Sequence, residues 1–98
     1  MASKKNVEQI VIVRAYAAGV HVGRLVSREG DIVTLADTTR LYRWVVARQT
    51  GQVASCSELA LYGVKPAECK FGAKLPRIEI HGVAEVIPCS PKAAETYP

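Results

Sequence analysis

No run in this 98-residue sequence is apolar for long enough to cross a membrane as a helix. The densest stretch, Ile10 to Val13, falls far short of the roughly twenty residues a span requires. It is also too short to act as an export segment behind the basic start Met1-Ala2-Ser3-Lys4-Lys5, so a cytoplasmic chain is expected. There is no C-x-x-C pair and no Cys/His cluster. Cys56, Cys69 and Cys89 are an odd set at wide spacings, which argues against both a disulfide framework and structural zinc. Reduced thiols, no metal and no cofactor are the expectation. Aromatic residues are scarce at 6%, with one Trp, one Phe and four Tyr, so the position of each carries weight. Repeats and low-complexity tracts are absent.

The remaining composition is that of a globular chain. Hydrophobic residues make up 49% and charged residues 22%, and the length suits a single domain over residues 1–98. Residues 1–8 read as a polar lead-in and 89–98 as a C-terminal tail. A chain of this size buries about two-thirds of its unfolded surface, enough for a core without covalent staples. The net charge of +4 lies entirely in residues 1–50, and between Asp37 and Glu58 there is no acid, only Arg40, Arg43 and Arg48. Such an excess is compatible with a phosphate-bearing partner and equally with a plain solvated surface.

The apolar pattern predicts a mainly β fold, a small barrel or curled antiparallel sheet of five to six strands. Ile10 to Tyr16 is β-branched and without turn formers, as in a strand covered on both faces at its start. Val20 to Ser27 is a second strand in which Gly23 marks a bulge or bend. Arg28-Glu29-Gly30-Asp31 is a hairpin turn and Ile32 to Ala36 a third strand. Asp37-Thr38-Thr39 reads as a polar turn before a fourth strand from Arg40 to Ala47. Residues 48–52 read as a flexible connection. Ser55-Cys56-Ser57-Glu58 matches a capping box for one short helix near 56–62, stopped by Gly63. Glu68 to Pro76 reads as loop. Arg77 to His81 and Val83 to Ile87 are two further strands around Gly82, and Ser90-Pro91 opens a last helical turn.

Catalytic chemistry finds little support. His21 and His81 lie in strand patterns without a paired nucleophile or ligand spacing. Cys56 sits near a helix start, where the dipole could lower its pKa, but free cysteines in such a chain are usually packing residues. Glu79 and Glu85 flank Gly82 on what reads as a solvated face. Gly19-Val20-His21-Val22-Gly23 lacks the helix and the Lys-Ser/Thr ending of a phosphate loop. The most informative stretch is Asp37 to Arg48. Arg40, Arg43 and Arg48 carry planar, permanently charged forks suited to phosphate, and Tyr42 and Trp44 alternate with them. Arginine for phosphate and an aromatic face for a base together hold a nucleotide or a single strand of nucleic acid. The bland alternative stays open: Tyr42 and Trp44 as core anchors on one strand face, with Arg40 paired to Asp37.

The run from Val11 to Gly30, then Val33 to Asp37, Arg40-Leu-Tyr-Arg-Trp44 and Ser57-Glu-Leu-Ala60, resembles a group of short, uncharacterised bacteriophage proteins. Their pattern is V-I-x-R-x-Y-x-A-G-V-x-x-G, then S-R-x-G, then D-x-R-R-[LI]-x-x-W. The sequence departs from it at Thr39, where a second Arg is expected, and inserts residues around Ala47 to Gln52. The resemblance implies a phage protein in the bacterial host cytoplasm and brings no activity. A second, geometric likeness, G-x-L-x-S-x-x-G-x-x-V-x-L, resembles the bent hairpins of Sm-like and SH3-like barrels. The expectation is therefore a non-enzymatic phage protein that binds a phosphate-bearing nucleotide, sequestering a host immune signal. Arg40, Tyr42, Arg43, Trp44 and Arg48 would form the site, and a homo-oligomer interface would complete it. The alternatives are a nucleic-acid-binding barrel, or a protein–protein inhibitor or assembly component that uses a strand edge such as Ile10 to Val13.

Overall fold

A computed structural model describes residues 9–47 and 55–98. The lead-in 1–8 and the connection 48–54, with Arg48, lie outside the described residues. Six strands are present: β1 (Ile10–Ala15), β2 (Gly19–Glu29), β3 (Ile32–Arg43), β4 (Lys70–Phe71), β5 (Leu75–Ile80) and β6 (Val83–Pro88). Two short helices, α1 (Cys56–Tyr62) and α2 (Pro91–Ala94), complete the described elements with a 3-10 turn at Pro66–Glu68. All strand pairs are antiparallel. The strand order is β4-β3-β2-β1-β6, with β5 also on β3, so the fold is mainly β and the sheet is open and curled. β3 serves two partners in succession, β5 from Val33 to Thr38 and β4 from Leu41 to Arg43. The loop read over 68–76 thus contains β4 and the start of β5. Neither shows the alternation of a half-buried strand, because Lys70 and Leu75 to Arg77 are exposed.

β1 organises the core. Val11, Ile12 and Val13 are fully buried, since the strand is covered on both faces. Val11, Val13 and Ala15 join Val33, Leu35 and Ile80 on one side. Ile12 joins Val20, Val22 and Leu41 on the other, where Leu59 and Ala60 of α1 cover them. Ile12 is in register with Val22 of β2 and with Ile87 of β6. Ile10 to Val13 is therefore an interior segment, not a free edge, and its backbone groups are already engaged by two neighbours. That removes the basis for docking a partner there.

The helices start and stop as their local chemistry dictates. The expected capping box is present, with the Ser55 side chain accepting from the Glu58 N–H and the Ser55 N–H donating to Glu58 Oε1 at 3.1 Å; the Ser55 hydroxyl also donates to that carboxylate. The Gly63 N–H reaches the Leu59 carbonyl at 3.0 Å and closes the helix. In α2, Pro91 stands at the first turn and the Ala93 N–H donates to Ser90 Oγ at 3.0 Å. The Tyr97 hydroxyl donates to the Leu59 carbonyl at 2.6 Å, which ties the chain end to α1.

A bulge replaces the turn expected at Asp37-Thr38-Thr39. Val22 pairs with Thr39 and Arg24 with Ala36, so Asp37 and Thr38 together oppose Gly23. Asp37 takes the left-handed conformation at φ 48°, which a short polar side chain tolerates better than most. β3 therefore runs unbroken past these residues but bends at them. A Cβ on Gly23 would lie 2.8 Å from Thr38 Cβ and 3.1 Å from Thr38 Cα, so the bend requires glycine there. The Thr38 hydroxyl donates to the Val22 carbonyl at 3.0 Å across the same contact. Thr39, where the resembled pattern has a second Arg, is 2% exposed, and its Oγ1 is buried without a partner. An arginine would have no room for its charge at that place.

His21 is 1% exposed beside this bend. Its Nε2 lies 2.8 Å from the Ala18 carbonyl, which only accepts, so Nε2 carries the proton. Burial lowers the imidazole pKa below its ordinary 6.5; the Ala18 bond opposes this, and the charge of Arg40 adds to the lowering. A base with a depressed folded pKa contributes stability above its unfolded value and loses it as the pH falls through the folded one. An NMR titration should place the His21 midpoint below 6.5, and His21→Gln should lose less stability on mild acidification. A midpoint at or above 6.5 contradicts this reading. Gly23→Ala should cost about 1–3 kcal/mol in urea unfolding because backbone must move. Gly30→Asn, at the open hairpin tip with φ 62°, should stay within about 0.5 kcal/mol of wild type.

Candidate functional site

Beyond the bulge, β3 sorts its side chains by alternation. Thr39 and Leu41 point into the core, while Arg40 is half-buried and Tyr42 is 59% exposed on the opposite side. Here the chain between β4 and β5 runs alongside β3, and the Gly72 N–H donates to the Arg40 carbonyl at 2.8 Å. The result is a cleft of about 260 Å³ whose lining includes His21, Thr38, Arg40, Tyr42, Gly72 and Leu75. The Arg40 guanidinium carbon stands 6.0 Å from the centroid of the Tyr42 ring, at the outer reach of a cation–π contact. The pair thus presents positive charge and an aromatic face at one opening.

Arg43 belongs to a second depression. It is in register with Lys70 of β4, and the two line a more open cleft of about 400 Å³ with Val45, Glu68 and Cys69. The Val45 N–H donates to Cys69 Sγ at 3.3 Å, and the thiol reaches the Lys65 carbonyl at 3.2 Å. Arg43 and Lys70 are both exposed. Among the described residues, the ion pairs are Arg14–Glu85 at 2.9 Å, Arg24–Asp37 at 2.9 Å and His81–Glu79 at 2.7 Å, and none uses Arg40, Arg43 or Lys70.

The structure thus brings together Arg40 and Tyr42, sets Arg43 at the neighbouring cleft and takes Trp44 elsewhere. The β3–β4 register shifts between Leu41 and Arg43 and the strand ends there, so alternation does not carry through to residue 44. Trp44 packs against the cluster beneath α1. The expected common face of Tyr42 and Trp44 is therefore divided. Asp37 pairs with Arg24 rather than with Arg40, because the bulge turns it toward β2. Lys70, Gly72, Leu75, His21 and Thr38 were not legible as site residues. Pairing of β4 with β3 sets Lys70 beside Arg43, the Gly72 N–H reaches Arg40, and pairing of β5 sets Leu75 opposite Thr38, all of them long-range contacts.

The other candidates hold structural positions. Cys56 is buried at the first position of α1, and burial, with the charge of Glu85, pushes its thiol pKa up against a smaller opposing effect of Arg14. The dipole of a seven-residue helix does not overcome that desolvation. Burial likewise pushes Cys89 up to about 11. Glu79 and Glu85 are engaged by His81 and Arg14 on the solvated face. Among the described residues, no helix is long and apolar enough to cross a membrane and no group of three His, Cys, Asp or Glu could hold a metal ion.

No curated protein and no solved structure gives a significant match to this chain. A family model described as a domain of unknown function (DUF6948) matches residues 8–97, and the chain belongs to that family.

Proposed function

We propose that the protein binds a phosphate-bearing nucleotide in the Arg40–Tyr42 cleft and holds it without transforming it. The observation that carries this is the exposed Tyr42 ring with the Arg40 guanidinium 6.0 Å from its centroid, at the mouth of one cleft. Arginine offers a planar fork to phosphate oxygens, and the tyrosine face stacks on a base whatever its identity. Leu75 and Ile78 supply an apolar wall for the base edge. The guanidinium makes no ion pair among the described residues, so phosphate would not have to displace a carboxylate. On the resemblance to short phage proteins, the nucleotide would be a bacterial immune signal that binding withdraws from solution.

The test is calorimetric titration with nucleoside mono- and diphosphates. Tyr42→Ala should lose about 1–3 kcal/mol of binding, roughly fivefold to 150-fold in affinity, whereas Tyr42→Phe keeps most of it. Arg40→Ala should lose a comparable amount and abolish any preference for phosphate over the bare nucleoside. Unchanged affinity in both alanine variants would overturn the proposal.

A further inference from the structure

Arg40 and Tyr42 do not stand alone on this edge. β3 carries Arg40, Tyr42 and Arg43 within four successive residues, and β4 sets Lys70 in register with Arg43. Three steps of extended chain carry the backbone from Arg40 to Arg43, about 10 Å. Each arginine lines its own cleft, of about 260 Å³ and 400 Å³, and the exposed Tyr42 ring rises from the strand segment between the two arginines. The smaller cleft falls below the roughly 300–1,000 Å³ of enclosed small-molecule sites, and the larger is open. Among the described residues, Glu68 is the one acid lining either cleft, against Arg40, Arg43 and Lys70. A nucleoside monophosphate is held by one cation and a ring. The Arg43–Lys70 pair, one strand step beyond the ring, carries positive charge past the place of that one phosphate.

We infer that this edge takes single-stranded nucleic acid, with one base stacked on Tyr42 and successive phosphates at Arg40 and at the Arg43–Lys70 pair. The inference rests on the nucleotide reading of the Arg40–Tyr42 cleft and extends it to a polymer. A duplex is the poorer fit, because its bases are already stacked on one another and leave no free face for the ring. The backbone follows a shallow positive path, and base identity matters little, since every base has a π-face.

The experiment measures binding of oligothymidylates of one, two, four and eight nucleotides to the full chain over a range of salt. Affinity should rise by about tenfold or more from one to four nucleotides and fall with salt, with a slope near −0.7 per phosphate engaged. The double variant Arg43→Ala/Lys70→Ala should remove the gain with length and flatten the salt slope, and should weaken mononucleotide binding far less than Arg40→Ala does. The charge-preserving swap Arg43→Lys/Lys70→Arg should keep both. A duplex closed into a hairpin, so that it stays paired at this length, should bind more weakly. Mononucleotide binding with no dependence on length or on Arg43 and Lys70 overturns the inference while the nucleotide reading stands. A duplex that binds as tightly as the single strand also overturns it. Failure of every length, mononucleotide included, overturns both.

Discussion

The approach of Gly23 to Thr38 is the contact on which the rest of the sheet depends. Two residues of β3, Asp37 and Thr38, are accommodated opposite one residue of β2, and the backbones close on each other with no space for a Cβ. A bulge of this kind bends its strand and increases the local twist. β3 is thereby bent between its two halves, and each half finds a different partner on the same side, β5 before the bend and β4 after it. The chain joining those partners lines the Arg40–Tyr42 cleft through Gly72 and Ala73. Core and candidate site thus have one geometric origin.

The curvature also explains how so short a chain covers both faces of its central strand. β1 presents Val11, Val13 and Ala15 to the inside of the curled sheet and Ile12 to the outside. The inside is closed by the sheet itself, through Val33, Leu35 and Ile80. The outside needs a lid, which α1 supplies through Leu59 and Ala60, with Tyr97 hydrogen-bonded to the Leu59 carbonyl of that helix. Burial of these apolar groups is the main favourable term, and the capped helix ends keep its polar cost low.

What could be read in the sequence was local. β-branched runs gave the strands, Gly30 the hairpin, Ser55 with Glu58 the helix start, and Gly23 the bulge. What could not be read was long-range. Asp37-Thr38-Thr39 has the composition of a turn, yet Thr38 and Thr39 are 1% and 2% exposed, because pairing with β2 and β5 overrides local preference. Trp44 and Tyr42 share parity in sequence but part where the ladder slips after Leu41. Half of the candidate site was legible for the same reason: Arg40, Tyr42 and Arg43 lie on one strand, whereas Lys70, Gly72 and Leu75 reach them only through tertiary pairing. Arg48 lies outside the described residues.

The charge distribution gives the fold its directional surface. Arg14 and Arg24 are matched by Glu85 and Asp37, while Arg40, Arg43 and Lys70 gather at the end of β3 without carboxylate partners among the described residues. Binding of the proposed nucleotide at that end of β3 can be read by amide chemical-shift mapping during titration with a nucleoside monophosphate. Shifts should concentrate at Arg40, Tyr42, Gly72 and Leu75, with little change in α2. Shifts confined to α2 and Tyr97, or none at saturating nucleotide, would contradict it.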